Sequence, residues 1–438
     1  MAGLTYQELV AELFPRLTGG IRWGLERTRE LLASVGNPQD SYRSVHIAGT
    51  NGKGSVAATL GAILARTGGT VGLYSSPHLC SFRERFQVQQ NALSEEVIVS
   101  AARRLWPAVQ RLQPSFFEAT TALGLLAFAE VGIDLAVVEV GLGGRLDATN
   151  VIQPELTIIT NIAFDHRDYL GDTLEAIAIE KAGIIKKGVP LLTAEQGFEA
   201  LSVFRARAAQ AYAPVHILAP SDVRDVAFGL RGTSLTIHWR ARPQTLRTPL
   251  IGRHQAMNTA LAVRAAELLS VDLDASHIQR GLAQIKWPGR MQIESVASQC
   301  WVFDVAHNVA GVQALVECLA PLPLPRPIVL VVGILGDKDW RAMLPPLFAA
   351  VDEVVLTVPP TAPPGRTWDP DQALVYAGDR PVRVNRDFIA ALEVAHARAG
   401  QGTVLVTGSF HTVGDALICL QRTPFGSDVT LPRVSFAG

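Results

Sequence analysis

Charge is scarce in this sequence. Of 438 residues 18% are charged, against about 25% in an average globular chain. The 39 Lys+Arg and 40 Asp+Glu balance to a formal net charge of −1. No stretch gathers Lys and Arg into a basic cluster, which argues against a nucleic-acid partner, since such binders carry a basic stripe or tail. Cysteine is sparse too. Cys80, Cys300, Cys318 and Cys419 stand apart with no C-x-x-C pair, which excludes a zinc ribbon or disulfide framework and suits a reduced, cytoplasmic chain. The first ten residues lack the basic-then-apolar pattern of a secretory signal. Long apolar runs are missing as well: the most apolar stretch, 121–140, is broken by Glu130, Asp134 and Glu139, short of the ~18 residues that a membrane span requires. What is present is 48% hydrophobic residues, enough for a compact, enzyme-like protein of two or three domains at a prior of ~150 residues each.

The elements alternate. Residues 44–48 (SVHIA) predict a strand running into a Gly-rich turn. A helix follows from about Ser55, with Val56, Leu60, Ile63 and Leu64 at helical spacing, and 70–74 (TVGLY) predicts the next strand. Such a unit implies a right-handed crossover between parallel strands. Residues 135–140 (LAVVEV) and 156–162 (LTIITNI) are continuously apolar, as strands covered on both faces are. The alternating stretch 226–250 predicts antiparallel hairpins. Beyond a boundary near Trp287 to Arg290, strands at 301–305, 328–332, 353–358, 381–384 and 403–407 alternate with helical stretches such as 389–399, which predicts a second, smaller α/β domain. Residues 423–438 are expected to be a loose tail.

The strongest local signal is Gly49, Thr50, Asn51, Gly52, Lys53, Gly54 and Ser55 between the first strand and its helix. Glycines let successive N–H groups face one point, and the helix start adds a positive dipole end. Lys53 can reach β- and γ-phosphate oxygens, while Ser55 or Thr50 can offer a hydroxyl near a metal. The spacing departs from G-x-x-x-x-G-K-[ST], so an ordinary Gly-rich turn is the alternative.

Ligands of doubly wound sheets bind beyond the carboxyl ends of the strands. Three such ends carry metal-competent groups: Ser76 and His78 after residue 74, Glu139, and Asp165 with His166 after 162. A carboxylate inside an apolar strand costs several kcal/mol unless it is paired or metal-bound. A salt bridge from Glu139 to Arg145 or to a lysine is the alternative, as a structural role is for His166. Together with a phosphate loop these groups suit Mg2+ held by oxygen ligands. Lys181 ends an apolar helix, where it either snorkels and pairs with Glu180 or is buried with a lowered pKa.

These pieces resemble the folylpolyglutamate synthase/dihydrofolate synthase family of the Mur ligase superfamily: AGTNGKGS (48–55), SSPHL (75–79), EVGLGGRLDATN (139–150), ITNIAFDH (159–166), LGDTLEAIAIEKAGIIK (170–186), GRHQAMNTALA (252–262), WPGRM (287–291) and DVAHN (304–308), in the family's order. The resemblance implies an α/β fold. A Mur-ligase-like P-loop ATPase domain with a mostly parallel sheet would span 1–287, and a smaller Rossmann-like glutamate-ligase domain 288–438, with ATP between them. It also implies that Lys53 and its loop hold the phosphates, that Ser76 and Glu139 ligate a first Mg2+, and that His166 and Lys181, as a carbamate, serve a second metal site. Asn258, Arg290, Asp304 and His307 match nucleotide contacts, with Arg290 on phosphate and Asp304 near the ribose. A pterin pocket is suggested by Arg22, Trp23, Gly24 and Leu25, by Ser115, Phe116, Phe117 and Glu118, and by Leu146, Asp147 and Ala148; an aromatic ring there could stack on a pterin.

The implied reaction is ATP-dependent amide formation, with Lys53, His166, Glu139 and Lys181 in the catalytic set and dihydropteroate or a reduced folate, L-glutamate and ATP as small-molecule substrates. DVAHN resembles the form in bacterial enzymes that perform both reactions. Val309, in place of a proline common in the family, and the segment 408–411 leave the glutamate end open. A two-domain monomer needs no protein partner. Two rivals remain. Another Mur-type ligase normally carries an N-terminal UDP-sugar domain, but only about 43 residues precede the first strand. A P-loop nucleotide switch would hydrolyse ATP without joining anything.

Overall fold

A computed structural model describes residues 4–14, 23–269, 272–434 and 436. Two sheets dominate it. The first contains β1 (Arg43–Ala48), β2 (Val71–Tyr74), β3 (Phe86–Val88), β4 (Asn91–Ala92), β5 (Leu135–Glu139), β6 (Leu156–Ile159), β7 (Leu191–Thr193) and β8 (Val215–Ile217), in the order β4-β3-β2-β5-β1-β6-β7-β8. The pairs from β2 to β8 are parallel; β3 and β4 add an antiparallel edge. Its helices are α1 (Tyr6–Leu13), α2 (Glu26–Ala33), α3 (Lys53–Leu64), α4 (Glu95–Leu112), α5 (Phe116–Val131), α6 (Arg167–Leu170), α7 (Leu174–Ala182), α8 (Phe198–Gln210), α9 (Arg253–Leu268) and α10 (Ala275–Ala283). A separate antiparallel sheet, β9 (Arg224–Gly229), β10 (Gly232–Trp239) and β11 (Arg242–Thr248), packs on α9 and α10.

The continuous apolar strands are sandwiched, as their composition requires. Val45, Ile47, Leu135, Val137, Leu156 and Ile158 face α3 and α9, while Ala136 and Val138 face α4 and α5. The period-two alternation of side chains thus feeds two cores. Helix α3 is apolar all round and buries all of its residues but Lys53, because it lies between the sheet and α9 and α10.

The second sheet has the order β12-β13-β17-β14-β15-β16, from β12 (Gln292–Val296), β13 (Gln299–Phe303), β14 (Ile328–Val332), β15 (Glu353–Leu356), β16 (Val382–Val384) and β17 (Thr403–Thr407), with one antiparallel pair, β12 with β13. Helices α11 (Val309–Leu319) and α12 (Trp340–Ala350) share one core with it, and α13 (Phe388–Ala399) and α14 (Phe410–Cys419) the other. The α/β class with a mostly parallel first sheet is as expected.

Two expectations are corrected. The strand begun at Leu156 ends at Ile159; beyond it Thr160 bonds Ala48 O through its N–H at 3.0 Å, and its hydroxyl donates to Asn51 O in the Gly-rich loop at 2.7 Å. The C-terminal segment is not loose. Asp428 accepts from the Tyr6 hydroxyl at 3.1 Å and the Ser81 hydroxyl at 3.2 Å, and Leu431, Val434 and Phe436 pack on the second domain's core. No helix among the described residues is long and apolar enough to cross a membrane.

Candidate active site

Strand order gathers the site. Strands β2, β5, β1 and β6 are neighbours, and at their carboxyl ends stand Ser76, Glu139, the phosphate loop, and Asn161 with Asp165 and His166. Glu139 pairs in register with Ile47, so its carboxylate lies beside the start of the loop. The carboxyl ends of β13, β14 and β17 face this row. A cavity of about 570 Å³ separates the two, lined by the whole loop 49–55 and by Ser76, Glu139, His166 and Lys181 from one side and Arg290, Asp304 and His307 from the other. Asn258, on α9, also lines it.

The loop is built for an anion. Gly52 caps α3 with φ +84 and no side-chain hydrogen bond, which leaves the first-turn N–H groups to other partners. A Cβ at Gly52 would meet Asn258 Oδ1 at 2.6 Å, and one at Gly54 would meet the Trp287 ring at 2.7 Å. The second contact explains why a glycine separates Lys53 from Ser55: the domain boundary packs directly on the helix start. Thr50 is not free for a metal, because its hydroxyl donates to Ala163 O at 3.1 Å and accepts from Ala163 N at 3.0 Å. Ser55 accepts from Gln255 Nε2 at 3.3 Å. Half-buried Lys53 donates to Thr50 O at 3.1 Å.

Local pairing fails for both buried charges. Arg145 bonds Glu180 at 2.8 Å, which removes the expected local partner of Glu139 and of Lys181 together. Glu139, 5% exposed, accepts from Ser76 N at 3.2 Å and has no ion-pair partner among the described residues. Burial pushes its carboxyl up, against the pull of Lys53, the Ser76 N–H and Arg290. Lys181, 4% exposed, donates to Gly49 O at 2.9 Å. Burial, then the charge of Lys53, pulls its amine down to about 7, where a neutral, nucleophilic amine is populated. Burial and Lys338 pull His166 down to about 3, so its imidazole is neutral.

A cation fits here. A buried carboxylate without a counter-charge opens onto a polar cavity, and hard divalent ions take such oxygen donors. Among the described residues no three His, Cys, Asp or Glu side chains converge as a self-sufficient metal centre. His78 points elsewhere: its Nδ1 accepts from Arg85 Nε at 2.8 Å.

Arg290 Nη1 donates to Gly289 O at 3.1 Å, with its guanidinium 5.1 Å from the Phe410 ring centroid. Asp304 accepts from Met291 N and Ala306 N, both at 2.9 Å. His307 Nδ1 lies 2.9 Å from Val305 O.

The suggested pterin pieces lie outside this cavity's lining. Arg22 is outside the described residues. Ser115 caps α5 in a box with Glu118, which pairs with Arg27 at 2.9 Å, and Phe116 is 1% exposed; all three are committed to the fold. Asp147 is buried and accepts from Leu142 N at 2.8 Å, Ala148 is buried beside it, and Leu146 is half-buried. Leu25 precedes α2 as its buried cap, and Gly24 takes φ +126. Phe117 (38%) and Trp23 (41%) remain exposed. Missed from sequence were His254, Gln255 and Trp287, which line the cavity, and Lys338, whose ammonium sits 2.6 Å from Asp165. Its available signal was a charge in a Gly-Asp turn beyond a strand's carboxyl end.

Comparison with known proteins agrees with this architecture. Residues 47–266 match the Mur ligase middle domain and 289–410 the Mur ligase, glutamate ligase domain. The chain is 38% identical over 353 residues to dihydrofolate synthase/folylpolyglutamate synthase of Bacillus subtilis, covering 77% of this chain and 82% of that protein. It is similar in structure to Mycobacterium tuberculosis folylpolyglutamate synthase complexed with ADP, with TM-score 0.89, 34% identity and coverage of 96% and 99%. It is likewise similar to E. coli FolC in complex with DHPP and ADP, with TM-score 0.84, 31% identity and coverage of 95% and 98%.

Proposed function

Because the chain belongs to the folylpolyglutamate synthase/dihydrofolate synthase family of Mur ligases, and is thereby an ATP-dependent amide-forming ligase, we propose that it adds L-glutamate both to dihydropteroate and to a reduced folate. The observation that carries the site assignment is the facing of an anion-seeking loop and a buried, unpaired Glu139 by Arg290 and Asp304 across one cavity.

In this reading ATP lies between a domain of residues 1–287 and one of 288–438. The substrate carboxylate attacks the γ-phosphorus, the bond to the β-phosphate bridge oxygen breaks, and an acyl phosphate and ADP result. The α-amine of glutamate then adds to the acyl carbon; the tetrahedral adduct expels inorganic phosphate and loses a proton, leaving the amide. The chain's work is positioning and charge neutralisation. Lys53 and the α3 N–H groups hold the β- and γ-phosphates, and Arg290 approaches from the other domain. Asn258, Asp304 and His307 orient the nucleotide. Glu139 and Ser76 would hold Mg2+, which when bound screens the phosphate charge. The neutral amine of Lys181 would take up CO2 as a carbamate with release of one proton, or two counted from the ammonium, and the resulting anion would join His166 at a second metal. Phe117 and Trp23 are the pterin-facing candidates, since they remain exposed. The protein acts as a cytoplasmic monomer on small molecules; its four free cysteines support a reducing compartment.

The deciding experiment is ADP release with glutamate, comparing dihydropteroate with tetrahydrofolate as acceptor and weighing the product by mass spectrometry. Glutamate-dependent turnover with both acceptors is expected; ADP release indifferent to glutamate would make the protein a nucleotide switch. Glu139→Gln, which keeps the shape and removes the charge, is expected to lower turnover at least 100-fold. The same change should weaken Mn2+ binding, read by electron paramagnetic resonance; unchanged metal affinity would remove Glu139 from the metal site.

A further inference from the structure

A buried ion pair joins the two domains beside the phosphate loop. Lys338 Nζ lies 2.6 Å from Asp165 Oδ1, with the side chains 7% and 9% exposed. Asp165 follows β6 in the first domain, and Lys338 lies in the turn after β14 in the second. Asp165 takes a second donor across the boundary, Asn308 Nδ2 at 2.9 Å on Oδ2, and His307 Nε2 stands 3.6 Å away. Asn308 is fixed to its own domain as the cap of α11, accepting from Gly311 N at 2.8 Å. It also donates to Asn51 Oδ1 at 3.0 Å. One carboxylate and one amide therefore tie the first domain to the second, the amide at the phosphate loop itself.

Stability does not explain this arrangement. Taking two charges out of water costs several kcal/mol per ion, and a well-packed apolar pair often does as well or better. What the pair supplies is register. Lys338 finds its counter-charge only while the domains are closed, and on separation Asp165 keeps from its own domain the His166 N–H, at 2.9 Å, while both charges return to water. Breaking one partner in the closed state leaves the other buried and uncompensated, so the closed state itself is penalised. The ammonium also lies 3.4 Å from His166 Nε2, which places the pair at the edge of the reacting centre without touching the loop's own anion-binding groups.

We propose that Asp165 and Lys338 form a charge latch that holds the C-terminal domain closed over the bound nucleotide, with Lys338 a positioning residue for phosphoryl transfer. The latch rests on the reading that the nucleotide lies between the domains. Titration of the unaltered full chain with ADP tests that reading first, and absence of binding there would overturn both. The latch is tested with Lys338→Met, Lys338→Arg, Asp165→Asn and the double variant Asp165→Asn/Lys338→Met. The readouts are ADP affinity by calorimetry and the distance between spin labels placed one on each domain.

Lys338→Met is expected to weaken ADP at least tenfold and to shift the inter-domain distances to longer values, and Lys338→Arg to recover most of both. The double variant, which buries no lone charge, is expected to lose less than the two single effects combined. Neither Asp165 nor Lys338 belongs to the apolar cores, although the second domain's core takes in Ile251 of the first, so the variants should fold. Should Lys338→Met fail to, the isosteric Asp165→Asn is read by the same two measurements. Unchanged ADP affinity and unchanged distances in Lys338→Met would overturn the latch, whether or not turnover falls, because a loss of turnover alone would assign Lys338 to the substrate.

Discussion

Lys53→Ala is expected to abolish turnover, with a fall of about 1000-fold or more, while the protein stays folded. Positioned cations on a transferring phosphoryl group are worth roughly that much, or ~4 kcal/mol at 1.36 kcal/mol per decade. Lys53 is the cation that projects from the start of α3, where the capping Gly52 leaves backbone donors open. Its part in the fold is small: it is half-buried and makes one hydrogen bond, to Thr50 O, so the melting temperature should fall by no more than about 1 kcal/mol of stability implies. ADP release and thermal melting on the same preparation check both halves. Turnover like that of the unaltered protein would remove the loop from the phosphate site.

Lys181→Ala is expected to lose at least 100-fold in turnover and to regain part of it with added formate or acetate. The side chain is buried on the floor of the cavity, and its one hydrogen bond goes to a loop carbonyl, Gly49 O. An ammonium there competes with any metal. A carbamate does not, and a small carboxylate diffusing into the space left by alanine can supply the same oxygens. The rescue matters because the variant also loses the bond to Gly49 O, which by itself could disturb the loop. Recovery by carboxylates, with none by chloride, separates the two effects. Lys181→Met should leave the melting temperature unchanged or raise it, because burying an unpaired lysine opposes folding. Full activity in Lys181→Ala would refute the carbamate.

Much of the site was legible because its signals are local. A loop of glycines between an apolar strand and an apolar helix favours an anion site over an ordinary turn, and the continuous character of residues 135–140 and 156–162 required a covered parallel sheet, although the second strand ends at Ile159. Glu139 stood out because a carboxylate in such a strand demands a partner. What the local reading could not supply was the partner. Arg145 is near in sequence but is taken by Glu180, which also frees Lys181 to turn towards Gly49, 132 residues away. In the segment 115–118 Phe117 stays exposed for a ring contact, whereas Ser115 is used as a helix cap and Glu118 as the carboxylate that Arg27 required. The competition between a local structural use and a ligand is settled by burial, which no spacing reveals.

By itself the amino-acid sequence determined the class of fold, the anion-seeking loop, the strand ends that carry oxygen donors, and the family. The first three follow from periodicity, glycine placement and side-chain chemistry within a few residues, and the family from the resemblance of its motifs, taken in order along the chain. Tertiary structure alone decided which buried charges are paired and which face the cavity. It also decided that Trp287 presses on Gly54, that the C-terminal segment returns to Tyr6 and Ser81, and that Asp165 meets Lys338. The physical reason is the same in each case: desolvation charges a cost to every buried polar group, and the group that meets it is chosen by the packing of two sheets far apart in the chain.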